Sequence, residues 1–130
     1  MEYLMIAHKL LMGIATLLAI AAGLIAYQKK GNWLAKHRII AVLASFMAII
    51  AFAAVAVFKN NMNYPHFLSA HSLVGLAAIA FLIVACITGK LKTSGLMSIG
   101  KTHAYCGRLA LITSFFATAT GAAKYFKAKK

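Results

Sequence analysis

Four long apolar segments dominate this chain, and they restrict it to architectures that a membrane can hold. The segments cover residues 10–27, 39–58, 67–89 and 109–123. With the residues beside them, they approach or exceed the roughly 20 residues that a helix needs to cross the hydrocarbon core. The 130 residues are 63% hydrophobic, and one acidic residue, Glu2, accompanies 14 Lys and Arg. Since a soluble domain of this length does not have such a composition, we predict an all-α, transmembrane, antiparallel four-helix bundle.

The bundle is expected to use almost the whole chain as one domain over residues 1–130. The predicted helices cover about 3–27, 34–58, 65–89 and 101–124. The third helix is predicted to begin at Pro65, because a proline in the first turn of a helix breaks no intrahelical hydrogen bond. The first segment is expected to be a retained crossing, since an export signal has no use for its polar histidine. Function must therefore lie between the helices or on the two membrane rims.

A histidine stands near one end of every predicted helix. His8 and His71 lie one to two turns below the rim where the first and third helices begin, which we call side A. His37 and His103 lie within the first turns below the opposite rim, side B. Polar groups inside a membrane are costly and usually face the bundle interior. We therefore predict two layers of paired imidazoles, with His8 and His71 in one layer and His37 and His103 in the other.

Small residues follow each histidine along the same helix face. Positions 4, 7, 11 and 14 residues after a helical residue lie on nearly one face. Fourteen of the sixteen such positions are Gly, Ala or Ser. Close helix packing explains small residues in general, but it does not explain why they are in phase with the histidines. A flat macrocycle beside an axial histidine does explain it, so we predict haem contacts for small residues that include Ala15, Ala41, Gly75 and Gly107.

The motifs in the chain favour two non-covalent b haems, each with two histidine ligands. The sequence contains no C-x-x-C-H motif for covalent attachment. An iron with two histidine ligands has no open position for oxygen, and electron transfer is its natural role. Five basic residues lie within a turn or two of the predicted ligands and are expected to pair with haem propionates. These residues are Lys9, Lys36, Arg38, Lys101 and Arg108.

Three other polar side chains are not predicted to be ligands. His66 lies five positions before His71, about 140° away round a helix, and is expected at the interface near a propionate. Cys86 and Cys106 are expected to be ordinary small buried residues.

One motif resembles a known family. Residues Ser69 to Gly75 read S-A-H-S-L-V-G, which is similar to the S-x-H-S-x-x-G signature of the cytochrome b561 family, and the resemblance covers essentially the whole chain. It implies a four-helix di-haem core in which His8 and His71 ligate one haem and His37 and His103 the other. The arginine-containing motif of the ascorbate-using branch is not found before His37, so the resemblance does not extend to ascorbate as the donor.

We therefore predict a cytochrome that transfers electrons across a membrane, expected to be the cell membrane. The positive rims suit membrane lipid and an anionic small-molecule donor, a quinol or an acidic redox protein. A haem-free anchor subunit and a quinol-oxidising cytochrome b subunit of a larger redox complex are the alternatives. A proton-coupled exporter would need a buried carboxylate, but Glu2 is the only acid. Nucleic acid is not an expected partner despite a pI of about 10.2, because the charge lies on membrane rims.

The basic residues also indicate which side of the predicted bundle faces the cytoplasm. Eight are predicted on side B and six on side A, four of them in the C-terminal tail. Because cytoplasmic loops carry an excess of Lys and Arg, the balance favours side B as the cytoplasmic side.

Overall fold

Four helices account for almost all of the residues that the structure describes. The computed structural model describes residues 2–95 and 99–127, and for 124–127 it describes the backbone alone. The helices are α1 (Glu2–Gln28), α2 (Trp33–Asn61), α3 (Ala70–Thr93) and α4 (Gly100–Lys127). The predicted all-α bundle of four helices is confirmed. The side chains of the basic tail, namely Lys124, Lys127, Lys129 and Lys130, lie outside this description.

Three of these helices, α1, α2 and α3, are long and apolar enough to cross a membrane. α4 has 28 residues, but charged residues such as Lys101, Arg108 and Lys124 reduce its mean hydropathy, and hydroxyl side chains reduce it further. The Oγ1 atoms of Thr113 and Thr120 donate to the carbonyls of Leu109 and Phe116 at 2.7 and 2.8 Å. A hydroxyl that is satisfied within its own helix is tolerated in an apolar environment.

The helices form two tight hairpins that touch each other sparingly. α1 packs closely along α2, and α3 along α4, whereas contacts between the hairpins are far fewer. The buried apolar residues of the described chain are all alanines except Ile79. Large side chains point outward instead, with Leu17 68%, Phe46 62% and Phe115 60% exposed. Small residues inside let the backbones of membrane helices approach closely, and the outer apolar surface suits lipid.

The start of α3 is set by two serines and not by proline. The Ser69 Oγ accepts a hydrogen bond from the backbone N–H of Ser72 at 3.2 Å, and the Ser72 Oγ accepts one from the backbone N–H of Ser69 at 3.2 Å. This capping box satisfies N–H groups that a helix start otherwise leaves unpaired. The prediction that α3 begins at Pro65 is therefore wrong. Pro65 lies in the preceding loop, and His71 belongs to the first turn of the helix.

Two polar contacts join the hairpins in the middle of the bundle. Thr16 Oγ1 in α1 lies 3.0 Å from Thr118 Oγ1 in α4, and Ser45 Oγ in α2 lies 3.1 Å from Cys86 Sγ in α3. Thr16 and Ser45 each stand eight residues after the histidine of their helix. Both contacts therefore lie between the two histidine layers. Cys86 and Cys106 are free thiols.

Candidate functional site

The four histidines meet as two pairs, each drawn from both hairpins. The ring centroids of His8 in α1 and His71 in α3 are 6.3 Å apart, with an angle of 81° between the ring planes. The centroids of His37 in α2 and His103 in α4 are 6.0 Å apart, at 84°. Within the described residues, no group of three or more metal-binding side chains converges. The candidate sites are therefore these two imidazole pairs, one in each layer.

Every one of these histidines is held by a hydrogen bond to the other helix of its own hairpin. The Nδ1 atoms bond to backbone carbonyls: His8 to Ala51 (2.9 Å), His37 to Ala22 (2.9 Å), His71 to Ala117 (2.9 Å) and His103 to Ala85 (2.8 Å). Each acceptor stands fourteen residues after the histidine of its own helix. The two helices of a hairpin therefore support each other's histidine reciprocally.

This hydrogen bond decides which ring nitrogen is free. A carbonyl oxygen can only accept, so Nδ1 carries a proton, and in a neutral imidazole Nε2 then keeps its lone pair. A metal-binding histidine is typically oriented in this way, with its second nitrogen donating to a carbonyl or carboxylate. The bonds also hold the rings in place before any metal binds.

The separation of the rings suits one metal ion between each pair. Two metal–imidazole bonds of about 2 Å, with about 1 Å from each nitrogen to its ring centre, place two collinear ligand rings about 6 Å apart. The observed separations of 6.3 and 6.0 Å agree with that value. The separation of the rings in each pair therefore leaves room for one ion held by both imidazoles.

A large cavity on side A contains the first pair. Its volume is about 600 Å³, within the range of cofactor and ligand sites in proteins. Both His8 and His71 belong to its wall. Apolar side chains line its depth, including Met12, Phe52 and Ile79, and polar ones line its mouth, including Lys9, Lys59 and His66.

The predicted small-residue contacts fall into two environments. Gly75 lines the side A cavity, and a Cβ atom added at Gly75 or Gly107 would meet nothing within 4 Å. Ala15 instead packs in the core with Ala48 and Ile79 and does not line this cavity. Ala41 is half-buried and its carbonyl accepts from the Ser45 hydroxyl at 2.9 Å. Open space therefore lies beside Gly75 and Gly107, whereas Ala15 serves helix packing.

The basic residues predicted to pair with propionates lie in three different places. Lys9 lines the cavity beside His8, and Lys36 and Arg38 are exposed on the first turns of α2. Lys101 and Arg108 line a separate cavity of about 260 Å³ together with Ala104 and Tyr105. These two cations stand about 160° and 140° round α4 from His103. The structure does not bring them to the His103 side of the helix.

The mouth of the side A cavity carries a polar cluster that the sequence analysis missed. The Lys59 ammonium donates to the carbonyls of Pro65 and His66 at 3.0 and 2.7 Å. The His66 Nε2 lies 2.8 Å from Asn60 Oδ1. These contacts tie the loop before α3 to the end of α2. No sequence pattern predicts them, because they depend on the path of a loop.

The chain was also compared with known proteins. The family model described as eukaryotic cytochrome b561 matches residues 5–127. The matched stretch contains all four paired histidines and reaches from α1 to the end of α4. No curated protein and no solved structure matches the chain significantly.

Proposed function

The chain belongs to the cytochrome b561 family, and from this premise we propose that it binds two b haems and carries electrons from one side of a membrane to the other. Family membership itself makes it a membrane b-type cytochrome of electron transfer and implies haem b binding. The observation that supports the finer proposal is the presence of two histidine pairs with separations of 6.3 and 6.0 Å.

In this proposal His8 and His71 hold the haem near side A, and His37 and His103 hold the haem near side B. Haem held by these histidines would supply a reversible one-electron change, and two histidine ligands would leave no open position for oxygen. The carbonyls of Ala22, Ala51, Ala85 and Ala117 orient the ligands by accepting from Nδ1. Because the rings are already oriented, little rearrangement is needed when haem enters.

The distance between the layers suits transfer across the membrane. His8 bonds to the carbonyl of Ala51, which stands fourteen residues after His37 on α2. Fourteen helical residues rise about 21 Å, which approximates the separation of the two histidine layers. All four helices are proposed to cross, because the α3–α4 histidine bonds place α4 at the same depth as α3.

The outer surface and the basic rims indicate which molecules surround the protein. Large apolar side chains face outward for lipid, and the cations at both rims are proposed to bind anionic headgroups. Lys101 and Arg108 belong to that group, since both are exposed on α4 away from His103. The proposed electron donor is an anionic small molecule, a quinol or a redox protein, and the proposed membrane is the cell membrane with side B cytoplasmic. A haem-free anchor would leave the four oriented histidines without a role.

The test is a haem count combined with two single histidine variants. The purified chain is expected to show a low-spin b-type α band in its reduced-minus-oxidised spectrum, with two haems per chain by pyridine haemochromogen. His71→Ala should remove the side A haem alone, and His37→Ala the side B haem alone. His66→Ala serves as the control and should retain both haems, because His66 bonds to Asn60 and is not paired with another histidine.

Two results would contradict the proposal. If the chain contained no haem after expression with ample haem, the cytochrome function would be wrong and the anchor subunit would replace it. If His71→Ala and His37→Ala both kept two haems per chain, the assignment of ligands to pairs would be wrong.

A further inference from the structure

Two glycines of the second hairpin lie directly against histidine rings. A Cβ atom added at Gly121 of α4 would stand 2.9 Å from Cε1 of His71 and 3.3 Å from its Nδ1. One added at Gly89 of α3 would stand 3.0 Å from Cε1 of His103 and 3.1 Å from its Nδ1. Real Cβ atoms essentially never approach another atom as closely as at Gly121, and the approach at Gly89 is tighter than nine in ten real Cβ contacts. Either the ring or the helix would have to move if these positions carried a side chain.

The rings have little freedom to move away. His71 bonds through Nδ1 to the carbonyl of Ala117, and His103 to that of Ala85. Each acceptor lies four residues, about one helical turn, before the glycine on the same helix. A methyl group at the glycine would therefore rotate the ring or lengthen a hydrogen bond that is now 2.8–2.9 Å.

The first hairpin shows that close helix packing alone does not require these glycines. The residues four positions after its two acceptors, Ala51 and Ala22, are Val55 and Ala26. Its helices nevertheless pack as closely as those of the second hairpin, and its histidines make the same Nδ1 bonds. What distinguishes Gly89 and Gly121 is that the nearest atoms to an added Cβ all belong to the rings of His103 and His71.

We propose that Gly89 and Gly121 are positioning residues that set the ring planes of His103 and His71 at the two haems. The inference rests on the proposed function, because it concerns haem ligands. Each pair now has nearly perpendicular rings, at 84° and 81°. If both rings of a pair held one haem iron, the angle between their planes would affect the g anisotropy of the oxidised haem and its midpoint potential.

The experiment uses the purified holoprotein with Gly121→Ala and Gly89→Ala as reciprocal controls. Low-temperature electron paramagnetic resonance and a redox titration are measured, and signals are assigned with His71→Ala and His37→Ala. Gly121→Ala should shift the largest g value and the potential of the side A haem alone. Gly89→Ala should shift those of the side B haem alone. Gly100→Ala controls for the extra methyl group, since its Cβ would make only ordinary contacts of 3.4–3.6 Å with the Lys92 side chain.

The outcomes separate this inference from the proposed function. If the wild type lacks two haem signals, the proposed function fails before the glycines are tested. If the wild type has both and neither glycine variant shifts its expected signal, or each shifts both signals alike, the positioning role is overturned. If neither variant folds although Gly100→Ala does, the glycines belong to helix packing and the positioning role is also overturned.

Discussion

At the scale of single residues, the two serines around His71 have a structural explanation. They form the reciprocal capping box at the start of α3, with both N–H to Oγ distances at 3.2 Å. His71 lies between them in the sequence and so belongs to the first helical turn. Ser69 and Ser72 also line the side A cavity. The motif therefore couples the start of a helix to the placement of a proposed ligand.

Ser69→Ala is expected to weaken this placement. Removing an N-cap hydroxyl costs about 1 kcal/mol of stability, so the first turn of α3 should fray and the side A haem should dissociate at a lower temperature. Thermal loss of the haem absorption bands measures this effect. Ser94→Ala is the control, because Ser94 lies at the other end of α3 and its exposed hydroxyl bonds only locally. Equal haem loss in the two variants would contradict the prediction.

At the scale of elements, the hairpin is the unit that orients the histidines. Each helix supplies one histidine and one carbonyl acceptor to its partner helix. The acceptors lie among buried alanines, so the backbones can approach closely enough for the bonds to form. The small residues that follow each histidine therefore serve two purposes. They let the two helices pack closely, and they bring a backbone carbonyl within hydrogen-bond distance of an imidazole.

Ala51→Leu is expected to disrupt the hydrogen bond that orients His8. Ala51 is fully buried at 0% exposure, and overpacking a tight core typically costs about 1–3 kcal/mol. The larger side chain should push α1 away from α2, lengthen the His8 bond and reduce the content of the side A haem. The measurement is haem per protein together with thermal stability. Ala53→Leu, on the exposed side of the same helix, should change both by little, and similar losses in both variants would refute this explanation.

At the scale of the whole molecule, the two proposed haem sites lie between the hairpins. Direct contacts between hairpins are sparse, and they include the Thr16–Thr118 and Ser45–Cys86 pairs. Each proposed haem takes one ligand from each hairpin. A ligand that binds only the assembled state stabilises that state, so haem should hold the hairpins together.

Haem-depleted protein is therefore expected to keep its helices but lose much of the association between hairpins. Far-ultraviolet circular dichroism should change little, because contacts within each hairpin do not involve haem. Limited proteolysis of the 62–69 connection should become faster, and added haem should slow it again. An identical cleavage rate with and without haem would show that the protein contacts alone hold the hairpins together.

The sequence by itself determined the helical class, the family and which histidines share a layer. Hydropathy over 20 or more residues and a regular rise per residue are local properties, so the four helices follow from the chain directly. The same rise predicts which histidines share a layer, and the structure pairs His8 with His71 and His37 with His103 accordingly. The motif at Ser69 to Gly75 predicts the family that the match over residues 5–127 shows.

Only the tertiary structure decided which groups support the histidines. The acceptor carbonyls and the glycines beneath the rings depend on the separation and rotation of two packed helices. These quantities join residues far apart in the chain, for example His71 with Ala117 and Gly121, and helical periodicity along one helix does not encode them.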